Sequence, residues 1–463
     1  MGNIYVEDIV RECNGELIIG DYKKECINFC KDTRIIKEND VYIGIKGETF
    51  DGNKFYADAF DKGASVCILD NIENIDVNKY KDKTIIKVDD SIIALGKIAS
   101  YKRSLYDIPV IAITGSVGKT STKDMITSVL KTKYNVLKTE GNNNNNIGLP
   151  LTILNLRNHN CMVLEMGMNH FGEISYLTKI ARPTIAVITN IGTAHIGILG
   201  SRENILKAKL EVLEGLNQNG VLFINNDNDL LHKEYDKLKN KYNVKTIGID
   251  NSSDYVAYNI EEDITGSSFV IEDKNKNRED IKVNIATKSF VYNSLMGYAI
   301  GKELNIDNAL IKKGISNLKL TAHRLEKKVN KKGTIIIDDT YNASYDSMKS
   351  ALELLGKNKN RKIAILGSML ELGDYSEEIH REIGNDVVNN NIDILITVGN
   401  LASFIKDEAL KKGFNSQNVY SFDKQEETYE LLNNLLKKDD IVLIKGSHSI
   451  NLVKVVEKIM NFI

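Results

Sequence analysis

The stretch IAITGSVGKTSTK, Ile111–Lys123, constrains the chain more than any other. The apolar run Val110–Ile113 predicts a short buried strand. It leads directly into Thr114-Gly115-Ser116-Val117-Gly118-Lys119-Thr120-Ser121, and a helical pattern follows. Strand, glycine turn and helix start are the context of a phosphate-binding loop. Glycines let backbone N–H groups approach an anion, and a helix N-terminus adds partial positive charge. Lys119 is placed to reach the outer phosphates of a nucleotide, and the Thr120 hydroxyl to ligand Mg²⁺. The longer form of this loop has a further glycine where Ile113 stands, so the motif here is the shorter G-x-x-G-K-T. A chance glycine turn is the alternative. The strand before the turn and the GKTST after it favour nucleotide binding.

A chain of 463 residues is too long for one ordinary core and predicts two or three domains. Its formal net charge of −2 argues against a nucleic-acid binder, which needs a basic excess. An anionic ligand must therefore be held by local positive groups. Cys13, Cys26, Cys30, Cys67 and Cys161 form no CxxC pair and read as reduced, buried thiols. No segment is apolar for long enough to span a membrane. The opening MGNIYVEDIV carries acids where a signal peptide carries bases, so a cytoplasmic location is expected.

The expected fold class is α/β in three domains: a small N-terminal α/β domain over 1–105, a central phosphate-loop domain with a parallel sheet over 106–318, and a C-terminal Rossmann-like domain over 319–463. In the first, strands are predicted at Val41–Ile45 and Ser65–Leu69, joined through a glycine-rich loop that contains Gly47. Upstream, Asp32-Thr33-Arg34 sets a cation beside a hydroxyl. That pair suits a phosphate, and a turn with a surface arginine fits equally well. Central strands are predicted at Met162–Glu165, Ile185–Thr189 and Val221–Ile224. C-terminal ones are predicted at Thr334–Asp338, Lys362–Leu366, Ile394–Val398 and Ile441–Lys445.

Polar clusters follow several of these strands, where open α/β sheets bind ligands. Glu165 ends one strand and suits Mg²⁺, although alone it reads as a solvated acid. His195 sits in the Gly/Thr turn after the next strand, away from any apolar helix face, which favours a ligand or proton-handling role. Lys209 lies on the helical stretch Ser201–Glu211, and by itself reads as a solvated lysine. Asp338-Asp339-Thr340-Tyr341-Asn342 combines acids, an amide and a ring that suit a ribose and an adenine, or form a plain polar turn. The turns holding Ser368, and Lys445 with His448, have the small polar character of ligand loops and of ordinary connections alike.

Taken in order, TGSVGKTSTK, GNNNNNIGLPLT, EMGMNHFGEI, NIGTAHIGILGSRENILKAKLE, IDDTYNASYDSM, LGSMLELG and IKGSHS resemble the Mur ligases over almost the whole chain. Within them the pattern is most similar to the subgroup that joins D-alanyl-D-alanine to a UDP-N-acetylmuramoyl-tripeptide. The N-terminal DTR…GIKGETFDG also resembles that subgroup. The resemblance implies an enzyme of peptidoglycan precursor synthesis that forms an amide at the expense of ATP through an acyl phosphate. It implies that the loop Gly115–Ser121 with Lys119 holds the ATP phosphates, with Asn293 at the adenine and Arg324, Asp339 and Asn342 in the C-terminal nucleotide motif. Thr120, Glu165 and His195 become metal residues, and Lys209 the lysine carbamylated in this family, for two Mg²⁺ ions in all. Lys119, Lys209 and His195 are then the catalytic set. Thr33, Arg34, Gly47, Asn142 and Asn145 fall to the UDP-substrate, and Ser368, Lys445 and His448 to the dipeptide. A monomer is expected.

The chain departs from the family pattern at Ser289 (usually His), His323 (Gly), Ser344-Tyr345 (Asn-Pro), Ser368 (Asp) and His448 (Arg). Two of these, Ser368 and His448, lie where the amine should bind. The alternatives are a ligase of the same superfamily with another amine or carboxylate, and a nucleotide-binding protein that does not ligate. Glu165, His195 and Lys209 together weigh against the second, which needs no second Mg²⁺ site.

Overall fold

The computed structural model describes residues 2–73, 75–263 and 266–462. The chain forms two compact units. The first comprises Met1–Ile113, Tyr134–Ala186 and Glu211–Val221, and the second Thr114–Lys133, Val187–Leu210 and Leu222–Ile463.

In the first unit, one sheet runs in the order Glu16–Ile19, Thr84–Lys87, Val66–Leu69, Val41–Gly44, Phe29–Cys30. Its pairings are parallel except at the Glu16–Ile19 edge. Two of the inner strands read VYIG and VCIL and are buried throughout, as suits parallel strands covered on both faces. Tyr42, Phe60, Cys67, Leu69, Tyr80 and Ile85 form the core on one side. Helix Ser91–Ser104 begins where the Asp90 carboxylate accepts the N–H groups of Ile92 and Ile93. A second set of parallel strands, Val110–Thr114 beside Cys161–Glu165 beside Val136–Lys138, pairs Ile111 with Val163 and Val163 with Lys138. All five cysteines are buried and free.

The second unit holds two sheets. One runs Val221–Asn225, Asn243–Gly248, Tyr255–Asp263, Gly266–Asp273, Arg278–Val283. The last three strands are antiparallel neighbours, and the register slips between Tyr258 and Glu261, where Asn259 takes φ 51°. The other runs Glu326–Val329, Ile335–Asp338, Ile441–Lys445, Lys362–Gly367, Ile394–Val398, Val419–Phe422, parallel except for its first strand. Helices cover both faces, with Leu352, Ile383 and Leu443 in one core and Ile365, Val442 and Val456 in the other. This doubly wound arrangement sets Asp338, Lys445 and Gly367 at the carboxyl ends of neighbouring strands. Every strand expected from apolar runs is present, with each end within one residue.

Helix Lys119–Leu130 follows the phosphate-loop sequence and packs against helices Lys288–Glu303 and Asn308–Ser316. Its Lys123 and Asp124 side chains are 0% and 1% exposed, 3.5 Å apart. The Asp124 carboxylate accepts both the backbone N–H and the hydroxyl of Thr321 at 2.8 Å. Buried ionic groups are tolerable only while compensated. We therefore expect Asp124→Ala, which strands the Lys123 ammonium, to lower unfolding free energy by about 3–5 kcal/mol in chemical denaturation. Lys62→Ala, which removes an exposed partner of Asp58, should lower it by less than about 1 kcal/mol.

Candidate active site

The phosphate loop is built by its neighbours. Gly115 takes φ 149°, and a Cβ there would run into Thr189 Oγ1. Gly118 takes φ 80° and opens helix Lys119–Leu130. Ser116 N–H donates to the Asn190 carbonyl at 3.1 Å and Val117 N–H to Asn190 Oδ1 at 2.9 Å. Thr189 Oγ1 donates to the Val117 carbonyl at 2.7 Å, and Gly192 N–H to Ser116 Oγ at 2.9 Å. The turn Thr189–Gly192 thus moulds the loop from beneath. From the segment Thr189–His195 the sequence singles out only His195, and Asn190 is marked there by its place one residue after a predicted strand. The Lys119 amine donates to the Gly115 carbonyl at 2.9 Å and reaches that of Ser116 at 3.4 Å. Its charge therefore hangs over the turn that a phosphate would enter.

Around the loop, the structure gathers the expected nucleotide residues of the same unit. Thr122 Oγ1 donates to Asn293 Oδ1 at 2.8 Å in a buried pair. Arg324 Nη2 donates to Thr120 Oγ1 at 3.2 Å, and its guanidinium stands 4.0 Å from the Tyr341 ring centroid. The Tyr341 ring also meets the exposed His448, with centroids 6.2 Å apart and edge on. Lys445 is fully buried. Its amine lies 2.6 Å from Asp339 Oδ2 and donates to the Asn342 carbonyl at 2.8 Å. Burial pushes that amine below its usual pKa, against the pull of Asp339. Lys445 thus braces the DDTYN turn from inside and does not face solvent. Asp339 Oδ1 also accepts Leu325 N–H at 3.2 Å, which positions the residue next to Arg324.

His323, Glu326 and Asp338 bring one ligand atom each within 4.8 Å of one another. The Lys328 ammonium already occupies this group, 2.7 Å from Asp338 and 3.1 Å from Glu326, and supplies the cation it needs.

His195 adopts the left-handed conformation, φ 66°, at the start of the short helix Ile196–Leu199. Its Nδ1 lies 3.0 Å from Glu371 Oε2, at ion-pair distance but without the angle of a full hydrogen bond. The imidazole, and more weakly the Lys119 ammonium, hold the Glu371 carboxyl below the usual carboxylate range. Lys209 ends helix Arg202–Leu210 with its side chain fully buried, so the solvated reading of that stretch does not apply to it. Ser368 is buried. Its hydroxyl accepts Ala402 N–H at 3.1 Å, and its carbonyl accepts Ser447 N–H at 3.2 Å.

The remaining expected residues belong to the other unit. Glu165 is buried at the end of its strand, where its N–H donates to Thr139 Oγ1 at 3.0 Å. Its Oε1 accepts Asn144 Nδ2 at 2.9 Å. Asn144 stands between the two asparagines singled out from the sequence, and nothing in the run of five distinguished it. Asn145 Oδ1 accepts Ile147 and Gly148 N–H, opening helix Gly148–Leu154, and Asn142 is exposed in the preceding turn. Arg34 is exposed and grips Asp32 through two bonds of 2.9 and 2.6 Å, which draw the Asp32 carboxyl down to about 2. Thr33 hydrogen-bonds the Asp58 carboxylate. Gly47 N–H donates to the Phe50 carbonyl at 2.9 Å across a tight turn.

Residues 113–301 match the family model of the Mur ligase middle domain, and 323–448 that of the Mur ligase glutamate ligase domain. The UDP-N-acetylmuramoyl-tripeptide--D-alanyl-D-alanine ligase of Bacillus subtilis is 37% identical over 459 residues, 98% of each chain. The enzyme of that name from Escherichia coli is 31% identical over 83% of this chain and 84% of its own. The crystal structure of MurF from Acinetobacter baumannii superposes with a TM-score of 0.89 at 29% identity, covering 99% of both chains. That of MurF from Thermotoga maritima in complex with ADP gives 0.81 at 29% identity, over 94% of this chain and 97% of its own. With this fold, this phosphate loop and relatives matched from end to end, the chain belongs to the Mur ligase family, in its MurF branch.

Proposed function

We propose that this chain is the ATP-dependent ligase that joins D-alanyl-D-alanine to UDP-N-acetylmuramoyl-tripeptide in peptidoglycan precursor synthesis. The observation that carries the reading is the moulded loop Gly115–Thr120 with Lys119 over it, in a chain whose MurF relatives match it throughout. The proposed domains are 1–105 for the UDP-substrate, 106–318 for ATP and 319–463 for the dipeptide. Thr33, Arg34, Gly47, Asn142 and Asn145 are assigned to the UDP-substrate. Among the described residues no helix is long and apolar enough to cross a membrane. A cytoplasmic monomer is the proposed form.

A carboxylate does not acylate an amine at neutral pH, because its oxide leaves poorly. Transfer of the ATP γ-phosphoryl group to the tripeptide carboxylate makes an acyl phosphate. The dipeptide amine then attacks the carbonyl carbon, loses a proton, and inorganic phosphate departs. Lys119 meets the charge that gathers on the phosphoryl oxygens. Asn293 and Arg324 with Tyr341 orient the nucleotide, and Asp339, Asn342 and Lys445 hold the turn that presents Tyr341.

The donor chemistry fits a hard cation. The Thr120 hydroxyl and the Glu165 carboxylate are buried oxygen donors, and His195 adds an imidazole. A metal ion at the phosphates would neutralise part of their charge. Two Mg²⁺ ions are proposed. A buried Lys209 ammonium is a poor neighbour for them, whereas its carbamate is an oxygen donor.

Phosphate release should require ATP, the UDP-muramoyl tripeptide and D-alanyl-D-alanine together; release without the amine would overturn the ligase reading. Lys119→Ala should fold normally and lose at least about 100-fold in kcat, since it removes charge stabilisation and leaves the glycines in place. Lys209→Ala should lose most activity and regain part of it with added acetate or formate, whereas Lys209→Arg should not respond. Full activity of Lys209→Ala without a rescue agent would remove the carbamate from the mechanism. For the amine, Ser368 is buried while His448 is exposed beside Tyr341, so position 448 is the departure open to a ligand. His448→Arg restores a permanent cation for the dipeptide carboxylate and should lower the dipeptide KM about 3–10-fold with the ATP KM unchanged.

A further inference from the structure

The turn after His195 and the loop after Leu370 come from different parts of the second unit, yet their backbones touch. A Cβ on Gly197 would stand 2.5 Å from Gly373 N and 2.7 Å from the Leu372 carbonyl carbon. Real Cβ atoms do not approach so closely, so only hydrogen at position 197 permits this contact. Gly373 answers with φ 54° and has its own nearest neighbour in Gly197 Cα. Tyr375 Oη reaches the Gly200 carbonyl at 3.4 Å, which closes the same seam at its other end. Within the seam, His195 and Glu371 face each other at 3.0 Å, each in the left-handed region at φ 66° and 65°. Non-glycine residues enter that region at a cost, and such strain is retained where surrounding structure imposes it. The turn that carries His195 also underpins the phosphate loop through Asn190 and Gly192.

We infer that Glu371 is a positioning residue for the ligation reaction, brought to the His195 imidazole by the close backbone seam of Gly197 against Leu372–Gly373. A carboxylate at ion-pair distance from Nδ1 biases the imidazole's orientation electrostatically and leaves Nε2 as its second functional nitrogen. The loop of Glu371 belongs to the part of the chain proposed to bind the dipeptide, and His195 to the part proposed to bind ATP. The seam therefore makes the geometry of His195 depend on both being in place. The inference rests on the proposed role of His195 in the reaction.

The test uses Gly197→Ala, Glu371→Ala, Glu371→Gln, His195→Ala and the double variant Glu371→Ala/His195→Ala in the full-length protein. Melting temperature, ADP affinity by titration, and kcat and KM for all three substrates are measured. Gly197→Ala places a methyl against the backbone of residues 371–373, so ADP affinity should stay within about 3-fold while kcat falls at least 10-fold. Glu371→Ala should lower kcat about 10-fold with the ATP KM little changed, and Glu371→Gln, which keeps shape and an acceptor, should recover part of it. The double variant should be no slower than His195→Ala alone, because a residue acting through His195 has nothing left to position. Full additivity of the two losses, or wild-type kcat for Glu371→Ala, overturns the inference. Wild-type activity of His195→Ala instead overturns the role of His195 itself. Should Gly197→Ala melt far below the wild type, the cycle between Glu371 and His195 still decides.

Discussion

The hydrogen bonds from Ser116 and Val117 to Asn190 hold the rest of the second unit's chemistry in place. A glycine turn ahead of a helix has many conformations, and only one aims its amides at a single point. Asn190 selects that one by accepting two consecutive loop N–H groups, one on its carbonyl and one on its side chain. Thr189 and Gly192 add a donor on each side. The helix that follows is secured at its far side by Thr321 on Asp124 and by Gly314, whose carbonyl accepts the Ser128 hydroxyl at 2.6 Å. The loop's conformation is thus set by the chain's own contacts, which is what electrostatic stabilisation of a developing charge would require of the proposed phosphate site.

The same helix anchors the other residues proposed to contact the nucleotide. Thr120 and Thr122, two residues apart, take Arg324 and Asn293 respectively. The loop, Asn293 and the segment leading into the C-terminal sheet are in this way referenced to one element. Asp339 carries the reference further, since one of its oxygens fixes the backbone beside Arg324 and the other meets the buried Lys445.

Much of this was legible in the residues. Parallel strands covered on both faces are continuous apolar runs, and their short length with glycine or aspartate at the end favours a strand over a helix. The strands from Tyr255 to Val283 escaped because YVAYNIEED and REDIKV alternate with polar residues and present one face to water, which blurs them into loop. At the site, motif order located the loop, Asn293 and the DDTYN turn. It did not show that Lys445 and Ser368 face inward, because burial of a polar residue depends on what the fold later packs around it. Asn144 and Asn190 were hidden for a related reason: each owes its role to a partner distant in sequence, Glu165 and the phosphate loop.

The amine of Lys119 is already engaged with two carbonyls of its own loop. A ligand that takes this amine must replace both contacts and offer more than they did. A carbonyl or hydroxyl offers a dipole for a dipole and gains almost nothing. A phosphate offers a full negative charge to a full positive one, and does so beside a helix N-terminus. In the proposed phosphate site the loop's self-contact would therefore act as a threshold that favours a polyphosphate over a neutral molecule of similar shape.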